Sequence, residues 1–196
     1  CSRMARQCDR IEREVLTLKG IYDEHAGLQD RFVTTGRVST QLASRLGLCG
    51  LAGRASGLAS DLRVDHAWSP YDELDPRMAT HRDGDVAARV TVRFEETTES
   101  LRLIREIAAR LPQGSCLGGV TAPTPGTVGA GRIEGWRGEV MVAIELDESG
   151  ALRRCHCHDP SWHNWPVLEH AVIGNIVPDF PLINKSFNLT YSGQDL

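Results

Sequence analysis

From Glu139 to Leu146 the side chains alternate without a break. Val140, Val142, Ile144 and Leu146 fall on one face, and Glu139, Met141, Ala143 and Glu145 on the other. A period of two is a half-buried strand, which needs a partner strand and a layer to lie on. Asp147-Glu148-Ser149-Gly150 supplies the turn, with Gly150 free to take positive φ. The return strand runs from Ala151 to about His158, and Pro160 stops the ladder. The lead-in, Arg132-Ile133-Glu134-Gly135-Trp136-Arg137-Gly138, reads as a tight loop in which two glycines place Arg137 at a chosen spot. A solvated loop arginine is the plain alternative.

The rest of the chain is helical in pattern. Met4, Cys8, Ile11, Val15, Leu18 and Tyr22 form one apolar stripe, which predicts a first helix. Short helices follow over Gly27 to Phe32 and from Ser39, an N-cap, to Arg45, with Gly47 ending it. The longest helix starts at Asp83 or Asp85 and stops before Pro112. Val86, Val90, Phe94, Thr97, Leu101, Ile104, Ala108 and Leu111 make its stripe. Arg89, Arg93, Glu96 and Ser100 make a parallel polar stripe, either a solvated face or a buried ionic one. Pro166 suits the first turn of a helix through about Ala171 or Ile173.

These patterns read as helices with one antiparallel β-hairpin, in a single domain over 1–196. Its parts are helices over 1–112, a loop over 113–131 rich in Gly, Pro, Thr and Ser, the hairpin over 132–159, and a C-terminal helix and tail over 160–196. A net charge of -4 and the lack of a Lys/Arg-rich run argue against nucleic acid as a partner. No apolar run approaches the roughly 20 residues that span a bilayer, and no signal-peptide pattern is present. Six irregularly spaced cysteines point to a reducing compartment rather than a disulfide framework.

Three segments carry a family resemblance. Arg132-Ile133-Glu134-Gly135-Trp136-Arg137-Gly138-Glu139 resembles the R-x-E-x-x-R-G-E loop of nickel–iron hydrogenase large subunits and of the related quinone-module (49 kDa) subunit of respiratory NADH dehydrogenase. Gly50, Arg54, Ser56, Gly57, Asp61, Leu62 and Arg63 fit the same family's R-G-S-G-x-x-x-D-L-R segment, with Ala55 where glycine is usual. Gly84-Asp85, Arg89, Arg93, Glu95 and Glu96 resemble its G-D-x-x-x-R-x-x-x-R-x-E-E helix. The ending, Asn175 to Leu189, looks like that of formate hydrogenlyase and hydrogenase-4 large-subunit relatives.

The resemblance implies an α+β fold, mainly helical with one antiparallel β-hairpin packed on the helices, as the C-terminal part of a longer, hydrogenase large-subunit-like chain; Cys1 in place of a starting methionine agrees with that. It implies Arg137 as the catalytic candidate, beside the metal or its vacated cavity, with Arg54, Asp61, Arg63, Arg89, Arg93 and Glu134 as supporting charges. Where hydrogenases end in D-P-C-x-x-C, this chain has Asn188-Leu189-Thr190-Tyr191-Ser192-Gly193. Thr190 and Gly193 stand at the two thiolate positions, so a standard nickel–iron centre is not expected and no metal is assigned to the chain. The function implied is that of an NADH:quinone oxidoreductase or formate hydrogenlyase-like subunit. Its complex would bind NAD and quinone on the cytoplasmic face of the inner membrane. The iron–sulfur clusters would be borne by a partner small subunit, and the other partners would be membrane subunits and the N-terminal remainder of the same subunit. A redox-inert interaction module is the competing expectation. A third is zinc held by Cys155, Cys157, His158 and His163, although C-x-C is not the usual C-x₂₋₄-C ligand spacing.

Overall fold

The computed structural model describes residues 1–112, 114, 117–119 and 123–194. Among these, the helices α1 (Ser2–Glu24), α2 (Ala26–Phe32), α3 (Thr40–Leu46), α4 (Gly50–Ala55), α5 (Leu62–Asp65), α6 (Tyr71–Leu74) and α7 (Val86–Arg110) precede the sheet. Strands β1 (Val128–Gly135), β2 (Gly138–Leu146) and β3 (Leu152–His158) are followed by α8 (Ser161–Ala171), a 3₁₀ turn over Val177–Asp179 and α9 (Phe180–Phe187). The α+β class expected from the sequence is the one observed.

Capping sets several of these boundaries. Ser39 accepts from the Leu42 amide at 3.2 Å and Gly47 closes α3 in the left-handed region. Asp85, the second of the two expected caps, accepts from the Ala88 amide at 2.8 Å to start α7. α8 begins five residues before Pro166, which lies inside the helix and not in its first turn as expected. The start is set by Asp159, whose Oδ1 accepts from the Ser161 amide at 2.8 Å. The missing proline N–H frees only the carbonyl of Trp162, a residue half exposed to water.

The main core lies among the helices. Val38, Ala43, Leu48, Ala52, Val86, Val167, Leu168, Ala171, Ile183 and Phe187 form one buried cluster, drawn from α3, α4, α7, α8, α9 and the loops before α3 and α4. Burial of each large aliphatic or aromatic side chain there stabilises by about 1.5–3 kcal/mol. Leu51 and Ala55 of α4 meet Ala88 and Val92 of α7 in a second cluster. α7 is therefore buried on its α4 side, and Arg89 and Glu96 go inside with it. Of the two readings of its polar stripe, the buried ionic face is the one realised. On α1 only Cys8 of the expected stripe is fully buried, while Met4, Ile11 and Leu18 stay exposed.

The sheet has one strand more than the hairpin expected. β1 pairs antiparallel with β2, and β2 with β3. Arg132 to Gly135, read as loop, form the end of β1, with Glu134 opposite Glu139 and Gly135 opposite Gly138. Only Trp136 and Arg137 turn the chain. β1 reads Val-Gly-Ala-Gly-Arg-Ile-Glu-Gly and packs no apolar face, so it lacks the alternation that marks β2. Of the expected loop 113–131, residues 113, 115, 116 and 120–122 lie outside the described residues.

The sheet is anchored to the helices at its 134–138 end. Gly50 and Gly138 make that contact possible. A Cβ on Gly50, which has φ +61°, would lie 2.0 Å from the Arg137 carbonyl oxygen. One on Gly138 would lie 2.8 Å from Cys49 Sγ. Two backbones meet there with nothing between them.

Candidate functional site

The approach of α4 to the β1–β2 turn creates a buried cluster of charge. Arg54 sits at the end of α4 and is 1% exposed. Its Nε donates to Glu96 of α7. Its Nη1 donates to Glu134 of β1 at 2.9 Å and to the Ser60 carbonyl at 2.8 Å. Glu134 also accepts from the Leu62 amide at 3.1 Å. Asp61 caps α5 and is gripped twice by Arg63, at 2.9 and 2.6 Å, with Arg54 at 3.8 Å. Five of the residues named from the sequence, Arg54, Asp61, Arg63, Arg93 and Glu134, are thus gathered around Glu96, which was not among the expected site residues. Its signal was its place on the same face of α7 as Arg89 and Arg93.

The electrostatics follow from burial and pairing. Burial weakens Arg54's hold on its proton, but Glu96 and Glu134 outweigh it and raise its pKa. Burial would raise Asp61 as well, yet Arg63 and Arg54 hold it below the usual carboxylate range. At Glu134 burial wins over Arg54 and the Leu62 amide, so its carboxyl is raised. Asp61, Glu96 and Glu134 face Arg54 and Arg63, and Glu96 also acts on the Arg93 guanidinium, so acidic and basic groups are equal in number. A cavity of 170 Å³ opens beside them, lined by Arg54, Arg63, Glu96, Ser100, Glu134, Gly135 and Trp136. Arg93 lies over the Trp136 ring at 5.7 Å and donates to the Ser186 carbonyl at 2.9 Å.

Arg89 stands apart from this cluster. It is fully buried with no carboxylate within 4.0 Å among the described residues, and burial pushes its guanidinium down to about 9. Its donors go to Ser186 Oγ at 2.9 Å, the Gly84 carbonyl at 2.8 Å and the Gly36 carbonyl at 2.9 Å. It also lies over the Phe187 ring at 4.3 Å. These contacts tie α7 to α9 and to the loops before α3 and α7, so Arg89 is a clamp between segments.

Arg137 points elsewhere again. Its Nε donates to the Asn188 carbonyl in the C-terminal tail. Its own carbonyl accepts from Asn164 Nδ2 at 3.3 Å, and Asn164 Oδ1 accepts from the Cys49 amide at 3.1 Å. Asn164 so joins α4, the turn and α8; no sequence pattern marked it. Burial, aided by Glu134, pushes the neighbouring Cys49 thiol up to about 11. Just beyond Asn188, the Thr190 amide donates to Ser161 Oγ at 3.1 Å. A Cβ on Gly193 would meet Thr190 Cγ2 at 2.6 Å and Asp159 Cγ at 2.6 Å. Positions 190 and 193 are therefore adjacent, and carry a hydroxyl and a hydrogen in place of two sulfurs. These groups do not fit a thiolate-held nickel–iron centre.

The four residues weighed for zinc do not converge as a set: Cys157, His158 and His163 border one cavity, which Cys155 does not line. Cys155 and Cys157 share one face of β3, their sulfurs 4.0 Å apart. His158 projects from the other face and packs on His163, with ring centroids 4.9 Å apart. Among the described residues no group of three or more His, Cys, Asp or Glu is placed to hold a metal ion, and no helix is long and apolar enough to cross a membrane.

Comparison with known proteins places this geometry. The family model described as respiratory-chain NADH dehydrogenase, 49 Kd subunit, matches residues 1–125 and 118–195. The chain is 30% identical over 186 residues to the carbon monoxide-induced hydrogenase of Rhodospirillum rubrum, covering 93% of this chain and 51% of that protein. It is 34% identical over 138 residues to hydrogenase-4 component G of Escherichia coli (strain K12), covering 70% of this chain and 25% of the relative. An NADH-quinone oxidoreductase subunit of Syntrophobacter fumaroxidans is 32% identical over 158 residues, covering 79% of this chain and 42% of that protein. A solved chain of the membrane-bound sulfane sulfur reductase, an archaeal respiratory membrane complex, has the same fold at a TM-score of 0.89 and 23% identity, covering 99% of this chain and 55% of that one. The chain thus spans between a quarter and about half the length of these relatives.

Proposed function

Because this chain belongs to the respiratory-chain NADH dehydrogenase 49 Kd subunit family, we propose that it is the C-terminal portion of the large subunit of a membrane-associated oxidoreductase complex, taking part in electron transfer from a partner iron–sulfur subunit toward quinone or protons. The proposed neighbours are that iron–sulfur subunit, the membrane subunits and the remainder of the same large subunit. The observation that carries this reading is the pairing of Arg137 with the tail. Arg137 is held against Asn188, two residues before Thr190, where hydrogenases carry the first of their two C-terminal thiolates. The frame of the metal site is kept while its soft ligands are gone, which favours a quinone-type role over hydrogen chemistry.

In this role the partner's clusters supply electrons, and the chain's own residues handle charge and protons. Glu134, raised by burial, holds a proton more readily than a surface carboxyl and borders the 170 Å³ cavity. Arg54 and Arg63 hold Asp61 ionised beside it. Arg137 supplies a fixed cation at the tail, where negative charge arriving with an electron would be met.

The dense satisfaction of Arg54 and Asp61 equally suits a structural role, and a redox-inert subunit that only assembles is the competing reading. Arg137→Ala in the anaerobically purified complex separates them. Reduction of quinone by the partner's reduced clusters should slow by at least about tenfold with assembly intact. An unchanged rate would sink the proposal, and so would stoichiometric nickel in the purified protein.

A further inference from the structure

α8 carries Ser161, Asn164 and Trp165 at the spacings of three and four residues that put side chains on one helix face. Two of them hold the tail. Ser161 Oγ accepts from the Thr190 amide, and Trp165 Nε1 donates to the Thr190 carbonyl at 3.3 Å. The third, Asn164, holds the β1–β2 turn through the Arg137 carbonyl. Arg137 itself reaches the tail at Asn188. The circuit is closed: α8 grips the segment that carries the guanidinium and the segment that the guanidinium meets.

Asn164 is buried, and its neighbours fix which end of its amide is which. The Cys49 N–H faces Oδ1 and the Arg137 carbonyl faces Nδ2, so one side chain supplies an acceptor and a donor together. The need for both lies in the turn. Arg137 is outside β1 and β2, so its carbonyl is not held by the ladder. Gly138 follows at φ +133° and has no Cβ to choose between settings of the 137–138 peptide plane. The Asn164 N–H selects the observed setting, and the Gly50 backbone closes in on the same carbonyl from α4. The Arg137 side chain leaves the backbone one bond from that carbonyl carbon, so fixing the plane also aims the guanidinium. We propose that Asn164 is a positioning residue, which sets where Arg137 stands against the tail by holding the 137–138 peptide in register with α8. Its effect on rate rests on the role proposed above for Arg137; its effect on placement does not.

Asn164→Asp keeps the shape and the acceptor toward Cys49 but makes the donor depend on a proton. Ionised, the carboxylate sets a lone pair against the Arg137 carbonyl; protonated, it donates as the amide does. Burial favours the protonated form, so the donor returns on acidification. Arg137, His163 beside it in α8, Cys49, and the Glu134, Arg54 and Glu139 charges that act on Cys49 are the same in both proteins, so the difference at each pH isolates position 164. Placement is read from solvent exchange of the Arg137 Nε–H, by NMR of the full chain with isotope-labelled arginine. At pH 7 exchange should be at least about tenfold faster in Asn164→Asp than in the parent, and at pH 5 the two should agree within about twofold. In the assembled complex, kcat for quinone reduction should fall by about tenfold at pH 7 with KM unchanged, and recover at pH 5. Asn164→Ser, uncharged and too short to span both neighbours, should show the loss at both pH values, and it alone decides if Asn164→Asp does not fold. Parent-like exchange in either variant at pH 7 would overturn the proposal, as would a deficit in Asn164→Asp that is no smaller at pH 5. Faster exchange with an unchanged rate would uphold the placement and refute the redox role of Arg137.

Discussion

Replacing Arg54 by Met keeps an aliphatic stem at the end of α4 and removes the guanidinium. Glu96 and Glu134 then lose their hydrogen-bonded partner, and Asp61 keeps only Arg63. The three carboxylate side chains are only 2–10% exposed, and Arg54 itself is 1% exposed. Removing one side of a buried ion pair costs about 3–5 kcal/mol, most of it the penalty of leaving charge unmatched. With a urea slope near 2.5 kcal/mol/M, a cost of about 4 kcal/mol lowers the unfolding midpoint by about 1.6 M. The sign with pH is a second check. Without Arg54 the folded-state pKa of Glu134 rises further above its unfolded value. Stability is then lost as pH rises through that value, so the deficit is greatest near pH 7 and shrinks toward pH 5. Arg54→Met/Glu134→Gln should recover part of the loss, because one orphaned charge is gone. Urea titrations of the three proteins at pH 5 and pH 7, followed by circular dichroism, give all these quantities. A deficit under about 1 kcal/mol at pH 7, or one equal at both pH values, would refute the view that Arg54 neutralises the cluster.

Asp61→Asn should destabilise at neutral pH, and its gap to the parent should close in the acid. Asp61 is held below its ordinary value, so its contribution is present above the unfolded pKa near 3.8 and lost as pH falls through the lower folded value; thermal melts from pH 3 to pH 7 would show a constant gap if this were wrong. Arg89→Lys should cost about 2–4 kcal/mol although the charge is kept, since one ammonium cannot reproduce the fork onto Ser186, Gly84 and Gly36; a loss as small as that of a surface Arg→Lys change would contradict the clamp. Gly50→Ala should part α4 from the β1–β2 turn, raising amide hydrogen exchange at Gly138 and Glu139 at a cost of about 3 kcal/mol; unchanged exchange there would rule out the close contact.

Local chemistry was legible where a residue acts within its own segment. Ser39, Gly47 and Asp85 set helix ends by bonds spanning three or four residues, and β2 shows its period directly. β1 was hidden because Gly129, Gly131, Arg132 and Glu134 give it no buried face to imprint an alternation. The start of α8 was hidden because Pro166 suggests a first turn, whereas Asp159 determines it from outside the helix. The charges of the cluster were named from motif resemblance, not from pattern. Arg54 meets Glu96 across 42 residues and Glu134 across 80, distances at which side-chain periodicity carries no information. The same limit explains why Glu96, although part of both the stripe and the motif, was not named as a site residue, and why Arg89 and Arg137 could not be separated from the cluster they do not join.

The crowding at Gly193 bears on how such a tail can change over time. A side chain there collides first with Thr190 and Asp159. Asp159 cannot simply swing aside, since its Oδ1 holds the first amide of α8, a cap worth about 1 kcal/mol. A sulfur placed at 193 alone would therefore cost the start of α8 before any second sulfur stands at 190. Accommodating both needs a compensating change at 159, so positions 159, 190 and 193 behave as one coupled unit.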